Sequence, residues 1–347
     1  MTASDRSAAR QIISCQPGGH PHMKRREFIT LLGGMAAWPL AARAEQSPPV
    51  IGFLTTSSVE APSGPIPAIL LALQHTGFEV GQTVRIEYRY ADNRLERLPA
   101  LAAELVKTPC SVIVAAGGPR TATVLKEATS TIPIVFAPLP DPVRSGLVAS
   151  LNRPGGNVTG VAALTIELDP KRIELLHELM PPTGAIGAMY NPTRPDTQTQ
   201  LQSIQAATKA VGRELVPAPA ATVAEIDAAF ATLKDRAIAG LLIAADPFFS
   251  SQRTQIIDLA TRYRWPAIYQ WREFADAGGL ASYGANLADS YRQVGLFVAR
   301  ILRGEKPSEL PVQQPTKFEF VINLRTAKSL GLEVPPTLLA SADEVIE

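Results

Sequence analysis

The sequence predicts an α/β protein built from two doubly wound, parallel-sheet domains. Short apolar strands alternate with amphipathic helices in two successive runs, one ending near residue 163 and one beginning there. The 30 Pro and 24 Gly are scattered through 347 residues, which is typical of a chain with many short α/β connections. A chain of this length has enough residues for two cores of medium size.

An export signal is predicted near the amino terminus. A basic segment, MKRREFI, precedes an apolar run and the small-residue motif ARA, which ends at Ala44. This order is typical of a secretory signal peptide, and the paired arginines resemble the twin-arginine type. We therefore expect a signal peptide at residues 23–44, cleavage after Ala44 and a periplasmic product. Residues 1–22 are expected to be an extension upstream of the true start.

Charge and composition argue against several classes of function. After residue 44 the chain has 27 basic and 30 acidic residues, a net charge of −3 without a basic stripe, so no nucleic-acid partner is expected. Cys110 is the single cysteine of this part, which predicts a buried thiol and no internal disulfide. His75 and His177 each lack a partner at metal-ligand spacing, so we expect neither a metal nor a cofactor.

The first run begins with a strand and ends at the crossing into the second domain. Apolar and alternating patterns predict strands at residues 50–55, 84–90, 111–116 and 157–163, with one more before the Pro-rich loop near Asp141. Helical spacing predicts helices over residues 67–76 and 95–107, and a third from Pro119. Gly77 stands where the C-cap of the first helix requires a glycine.

The second run continues the same alternation. Strands are predicted at residues 185–190, 215–217, 240–244, 267–269, 280–283 and 318–322. Helices are predicted from Asp169 and over residues 196–211, 223–236, 287–303 and 324–330. Ser250 is expected to cap a further helix that runs to Tyr263.

The chain is expected to cross between the domains several times. The expected N-terminal lobe comprises residues 45–163 and 285–314, and the C-terminal lobe comprises residues 164–284 and 315–347. The crossings are expected near residues 161–166, 282–286 and 312–318. Several linkers favour a hinge, and a hinge favours closure on a ligand.

Gly117 and Gly118 follow a strand at the carboxyl edge of the first sheet, where open α/β sheets bind ligands. These glycines allow a tight turn, and the helix after them directs unpaired N–H groups at the cleft. We expect this corner to bind an anionic group of a ligand. The alternative is an ordinary strand-to-helix turn.

Four more polar residues at strand ends each have two interpretations. Ser57 and Ser58 either donate hydrogen bonds to a ligand carboxylate or complete a turn. Asp141 either caps the helix after it or contacts the ligand. Asp246 either pairs with a ligand ammonium or stabilises the start of the following helix.

Aromatic residues near strand ends of the second run are expected to stack on a ligand from the C-terminal lobe. Taken singly, each is otherwise a core or rim residue. They are Tyr190, Phe248, Tyr269, Trp271 and Tyr283.

Several segments resemble the substrate-binding components of bacterial ABC importers, in the branch that includes tryptophan and other aromatic amino-acid binders. These segments are RIEYRYADNRLERLPALAAELV, VIVAAGGPRTATVLKEATSTIPIVFAPLPDPVRSGLVASLNRPGGNVTG, YGANLADSYRQ and LPVQQPTKFEFVINLRTAKSLGLEVPPTLLASADEVIE. The resemblance extends over residues 50–347 and implies a type I periplasmic-binding-protein fold.

The resemblance also implies a function. It implies a periplasmic protein that closes on a small molecule, an amino acid or related carboxylate, and delivers it to an inner-membrane permease with a cytoplasmic ATPase. We expect a monomer. Two alternatives are an extracytoplasmic sensor that presents ligand to a membrane receptor, and an α/β enzyme, against which the lack of a nucleophile elbow or dinucleotide fingerprint argues.

Overall fold

The computed structural model describes residues 47–59, 66–194 and 196–347. Residues 48–347 form one compact unit. The expected signal peptide, its cleavage site after Ala44 and the expected upstream extension lie outside the described residues.

The N-terminal lobe is built on a five-stranded parallel sheet with the strand order β2-β1-β3-β4-β5. Nearly every residue of β3 is buried, because helices cover both faces of the sheet, and its sequence is correspondingly a run of small and β-branched residues. The strands are β1 (Val50–Thr55), β2 (Arg85–Tyr90), β3 (Cys110–Ala116), β4 (Ile134–Leu139) and β5 (Val158–Ala162). The helices before the first crossing are α1 (Ile66–His75), α2 (Leu98–Lys107) and α3 (Pro119–Ala128).

The C-terminal lobe is built on a seven-stranded sheet with the order β12-β11-β10-β9-β8-β6-β7. Its strands are β6 (Ala185–Tyr190), β7 (Leu215–Pro219), β8 (Ile238–Ile243), β9 (Ala267–Tyr269), β10 (Ala281–Ala285), β11 (Phe318–Asn323) and β12 (Glu344–Ile346). The helices from the first crossing onward are α4 (Asp169–Leu179), α5 (Thr197–Ala210), α6 (Val223–Asp235), α7 (Pro247–Ser251), α8 (Arg253–Tyr263), α9 (Arg272–Asp276), α10 (Leu287–Leu302), α11 (Leu324–Leu330) and α12 (Pro336–Ser341).

This second sheet is mixed rather than wholly parallel, because β10 and β11 pair antiparallel. Strand β11 enters the sheet after the chain has passed through the other lobe, so no right-handed βαβ crossover fixes its direction. The other pairings within the sheet are parallel.

Helix α10 belongs to the N-terminal lobe, although it follows β10 in sequence. It packs against α1 and against strands β3, β4 and β5. Its apolar face, including Val294, Phe297, Val298 and Ile301, is buried there, as the helical spacing predicts. The chain therefore passes between the two sheets after β5, after β10 and before β11.

The first and third passages run side by side. The Ala162 amide donates to the Gln313 carbonyl at 2.7 Å, and the Gln313 amide donates to the Gly160 carbonyl at 3.0 Å. The Thr159 hydroxyl donates to the Leu310 carbonyl at 2.7 Å. These bonds join the passages close to the carboxyl end of β5, which is the edge that faces the other lobe.

One helix start differs from the sequence prediction, and Cys110 is buried as predicted. Ser250 does not cap the helix that ends at Tyr263, because the chain forms a separate short helix, α7, before α8 begins at Arg253. Cys110 is buried, and burial raises the pKa of its thiol. No helix within the described ranges is both long and apolar enough to cross a membrane.

Candidate functional site

A cavity of about 560 Å³ lies between the two lobes. It is bordered by the residues that follow β3, β4 and β5 in one lobe and β6, β8 and β9 in the other, so the carboxyl ends of both sheets face it. Helix α10 and the start of α1 complete its wall. The lining residues are Pro67, Gly117, Gly118, Pro119, Ala137, Pro138, Pro140, Ala163, Thr165, Arg194, Ala245, Asp246, Pro247, Ser250, Arg253, Trp271, Glu273, Phe274, Leu287 and Tyr291.

Gly117 and Gly118 form the corner between β3 and α3, and both line the cavity. Their φ angles are +92° and +109°, which residues with a side chain rarely adopt. Gly118 is the N-cap of α3 and Pro119 opens the helix, so the first amides of α3 have no carbonyl partner within the helix. A Cβ on Gly118 would lie 3.6 Å from Pro247 Cγ, so the two lobes approach closely at this corner.

Asp246 lines the cavity but is bound on both carboxylate oxygens. Oδ1 accepts the Phe248 amide at 2.8 Å and thereby caps α7. Oδ2 accepts from Asn191 Nδ2 at 3.3 Å and lies 3.5 Å from Arg194 Nη1. With 5% of its surface exposed, Asp246 holds the ends of β6 and β8 together. Asp246 thus stabilises the start of the following helix, which is one of its two sequence interpretations.

Arg194, which the sequence analysis did not select, is the cavity cation that pairs with Asp246. It also binds Asp196 through two hydrogen bonds, at 2.8 Å from Nε and 2.5 Å from Nη2. Burial opposes its charge, but the hydrogen bonds to Asp196 and the charges of Asp196 and Asp246 raise the pKa of Arg194 overall. Arg194 therefore shares its single positive charge between the two aspartates at this wall.

Two further charged residues, Arg253 and Glu273, face the cavity without such pairing. Neither side chain forms an ion pair with any residue that the structure describes, and Arg253 Nη1 donates only to the Ser250 carbonyl, at 3.3 Å. Desolvation by the surrounding protein raises the pKa of Glu273, and the charges of Arg253 and Arg272 oppose that rise. The site thus has one carboxylate, Glu273, and one guanidinium, Arg253, available to a ligand.

Aromatic rings from both lobes flank these charges. Trp271 lies two residues before Glu273 in sequence and packs on the core of the C-terminal lobe, while Phe274 is almost wholly buried beneath the cavity. Tyr291 reaches the site from α10 in the other lobe. Burial, together with the charge of Glu273, raises the pKa of Tyr291, so its hydroxyl is protonated at neutral pH.

The other residues that the sequence proposed lie elsewhere. Ser57 Oγ is 3.0 Å from Thr55 Oγ1, in a turn after β1, and Ser58 follows it; neither lines the cavity. Asp141 accepts the Arg144 amide at 2.8 Å and pairs with the Arg144 side chain, which makes it a turn-stabilising residue at the surface.

The three predicted tyrosines are also outside the cavity wall. Tyr269 is 1% exposed and stacks on Phe274 with ring centroids 4.6 Å apart, and burial raises the pKa of its phenol. Tyr190 packs against a different core cluster from the one that contains Tyr269. Tyr283 lines a separate depression of about 480 Å³ together with Phe318 and Phe320.

A sequence signal existed for some of the residues that were missed. Arg194 and Glu273 lie in the segments that follow strands β6 and β9, so the rule that selected Asp246 applies to them as well, whereas Arg253 comes only after α7. Tyr291 has no such signal, because α10 reaches the cavity only through the crossing between lobes. Within the described residues, no group of three His, Cys, Asp or Glu side chains is arranged to hold a metal ion.

The comparisons with known proteins agree with this architecture. A tyrosine-binding protein of Clostridioides difficile (strain R20291) is 28% identical over 262 residues, which cover 76% of this chain and 75% of the relative. A conserved domain protein from Vibrio cholerae O1 biovar El Tor is 27% identical and superimposes with a TM-score of 0.78, covering 86% of this chain and 99% of that structure.

A third similar protein is the ABC domain from Streptococcus pneumoniae, solved in complex with L-Trp. It is 24% identical and has a TM-score of 0.76, over 86% of this chain and all of that structure, 100%. The fold is accordingly the type I periplasmic-binding-protein fold that the sequence predicted. The model of the ABC transporter substrate-binding protein family matches residues 58–346. This chain therefore belongs to the family of ABC transporter substrate-binding proteins, which bind solutes.

Proposed function

We propose that this protein is the extracytoplasmic solute-binding component of an ABC importer and that its ligand is an amino acid or a related small carboxylate. The observation that supports the proposal is the cavity between the lobes. The Glu273 carboxylate, the Arg253 guanidinium and aromatic rings face this space of about 560 Å³. This volume lies within the range of ordinary small-molecule sites, about 300–1,000 Å³. The tyrosine-binding relative supports an amino-acid ligand.

The chemistry of the wall fits a small dipolar ligand. The amides at the start of α3 and the guanidinium of Arg253 are suited to a carboxylate, because both supply N–H donors in a partly desolvated space. Trp271 and Tyr291 offer ring faces and edges to an apolar or aromatic side chain, and Phe274 supports the cavity wall from beneath. Prolines and alanines form much of the remaining surface, so the middle of the ligand meets apolar groups.

Closure of the lobes gives this binding its role in transport. A permease must distinguish loaded from empty protein, and a ligand that contacts both lobes stabilises the closed state over the open one. In our proposal the protein is exported by the signal at residues 23–44, matures after Ala44 and delivers its ligand to an inner-membrane permease with a cytoplasmic ATPase.

The proposal is tested by isothermal titration calorimetry on residues 45–347, refolded to remove carried-over ligand. The panel contains L-tyrosine, L-tryptophan, L-leucine, aromatic acids, nucleosides and sugars. We expect saturable one-to-one binding of at least one amino acid with a Kd of about 1 µM or tighter, about −8 kcal/mol. Trp271→Ala is expected to weaken that binding and Trp271→Phe to restore part of it. Binding of a sugar or nucleoside and of no amino acid would contradict the proposal.

A further inference from the structure

Of the four charged residues that line the cavity, two are already paired. Asp246 is bound by Asn191, Arg194 and the amide of Phe248. Its carboxylate therefore has little remaining capacity to accept from a ligand, although its position at a strand end makes it the obvious acid. The acid that remains available is Glu273.

Glu273 lies in the first turn of α9, two residues after Trp271, which is the N-cap of that helix. The charged and titratable groups that act on it are Arg253 at the start of α8, Arg272 and Asp276 on its own helix, Glu319 on β11, and Tyr291 from the other lobe. Arg272 is not available to neutralise it, because Arg272 binds Asp276, Glu319 and Glu344.

Closing the lobes over such a carboxylate has a cost unless a cation meets it. Desolvation of an ionised carboxylate is unfavourable by several kcal/mol, and an opposite charge with hydrogen bonds offsets that penalty. Glu273 is exposed in this structure, so closure of the lobes over it is the step that removes its water. A ligand ammonium in the cavity supplies both the charge and up to three donors.

We propose that Glu273 binds the protonated amine of the ligand and so restricts the ligand class to amino acids, excluding carboxylic acids of the same shape that lack the amine. This assignment rests on the proposed function and deepens it. Arg253, which faces the same space with the opposite charge, complements the ligand carboxylate. Glu273 is thus the specificity-determining acid, and Asp246 holds the strand ends in place.

The test compares each of three amino acids with its analogue that lacks the amine. The pairs are L-tyrosine with 3-(4-hydroxyphenyl)propanoate, L-tryptophan with indole-3-propanoate, and L-leucine with 4-methylpentanoate. In the wild type we expect the amino acid that binds to be preferred over its analogue by about 10- to 100-fold, the range of a charge-assisted hydrogen bond. In Glu273→Gln we expect this preference to disappear, because affinity for the amino acid falls and affinity for the analogue does not.

Two control variants separate recognition from folding. Glu127→Gln makes the same change on an exposed position of α3 and should leave both affinities unchanged. Glu273→Asp keeps the charge and should retain part of the preference. Thermal unfolding of each variant shows whether it is folded before titration.

The possible outcomes distinguish this assignment from the proposed function. If the wild type binds an amino acid and Glu273→Gln keeps the full preference for the amine, the assignment is wrong and the proposed function stands. A wild type that binds analogue and amino acid equally well also overturns the assignment alone. If no amino acid binds to the wild type, the proposed function fails and the assignment fails with it.

Discussion

At the scale of single residues, Gly117 shows how closely the loops around the cavity pack. A Cβ at this position would lie 2.1 Å from Thr56 Oγ1 and 2.8 Å from the Thr56 amide nitrogen. The Thr56 hydroxyl itself donates to the Gly117 carbonyl at 3.3 Å. The loops after β1 and β3 therefore meet at a point where both the backbone angle and the available space require glycine.

Three glycine-to-alanine variants separate these two requirements. Gly117 has a positive φ and a steric clash, Gly146 has a positive φ of +66° and open space, and Gly156 has open space and no positive φ. We expect Gly117→Ala to cost about 2–4 kcal/mol of unfolding free energy, Gly146→Ala about 1 kcal/mol and Gly156→Ala less than about 0.5 kcal/mol. Urea unfolding followed by circular dichroism measures all three. Equal effects for Gly117 and Gly146 would show that the clash with Thr56 relaxes freely.

Glu273 also predicts a dependence of binding on pH. Partial desolvation by neighbouring protein atoms raises the pKa of this carboxyl above its ordinary value of about 4.3, so in the empty protein it takes up a proton at a higher pH than a fully solvated glutamate. Protonation removes the charge that holds the ligand ammonium, so affinity should fall as the pH decreases through that raised pKa. The carboxylates bound to Arg272 raise its pKa, so it stays charged throughout, and burial raises the pKa of the Tyr291 phenol, which stays neutral.

This dependence is measured by titrating L-tyrosine, or whichever amino acid binds, at intervals from pH 8 to pH 4. The wild type should lose affinity more steeply on acidification than Glu273→Gln, which keeps only the dependence that comes from other groups such as Asp169, whose pKa burial raises to about 6. A wild-type profile that matches that of the variant would contradict the prediction.

The sequence alone predicted some of the residues that line the cavity. The rule that ligands bind at the carboxyl ends of strands selected Gly117, Gly118 and Asp246, which all line the cavity. The partners of Asp246 were not accessible, because Arg194 and Asn191 come from a different strand end. Ser57 and Asp141 satisfy local turns instead, an alternative that the same sequence pattern allowed.

At the scale of secondary-structure elements, one buried arginine joins α4 to two of the passages between lobes. Arg172 Nε donates to the Tyr283 carbonyl of β10 at 2.7 Å, and Nη1 donates to the Thr165 carbonyl at 3.0 Å. Nη1 also binds Asp169 at 2.6 Å, with both side chains fully buried. Since Thr165 lines the cavity, Arg172 connects the cavity wall to the hinge.

The Arg172–Asp169 pair should show strong coupling. Burial raises the pKa of Asp169 to about 6 although Arg172 opposes this, so desolvation penalises the charged pair. Arg172→Met and Asp169→Asn should each cost about 3–5 kcal/mol, because each leaves a buried charge without its partner. The double variant should cost less than the sum by about 1–3 kcal/mol.

Urea unfolding at pH 7.5 measures this cycle, and α4 offers a matched control. Lys171 and Glu174 form an exposed pair at 3.1 Å with the same i,i+3 spacing. Its cycle, with Lys171→Met and Glu174→Gln, should give a coupling of less than about 0.5 kcal/mol. Additive effects in the buried pair would contradict the account of Arg172.

The elements themselves were largely predictable, since hydrophobic periodicity is a local property of the sequence. Helix α10 is an example: its apolar stripe predicted residues 287–303, and the helix extends over Leu287–Leu302. The direction of β11 was not predictable in the same way. The direction of β11 depends on where the chain returns from the other lobe. The hydrophobic periodicity within the strand carries no information about that return point.

At the scale of the whole molecule, the two lobes contact each other around the cavity. Arg144 Nη1 in the N-terminal lobe donates to Thr199 Oγ1 of α5 at 2.6 Å, and Gly118 approaches Pro247 on the other side. Both of these contacts lie at the surface or at the cavity rim. A ligand that binds groups of both lobes therefore supplies a substantial part of the energy that holds them together.

In our proposal, the two lobes enclose a single amino acid. Native mass spectrometry tests it most directly, on protein exported to the periplasm of a bacterial host and purified without refolding. The account predicts one bound molecule per chain, which fragmentation after release identifies as an amino acid. Release of a compound that lacks a protonatable amine, such as a neutral sugar or a simple carboxylic acid, would contradict it.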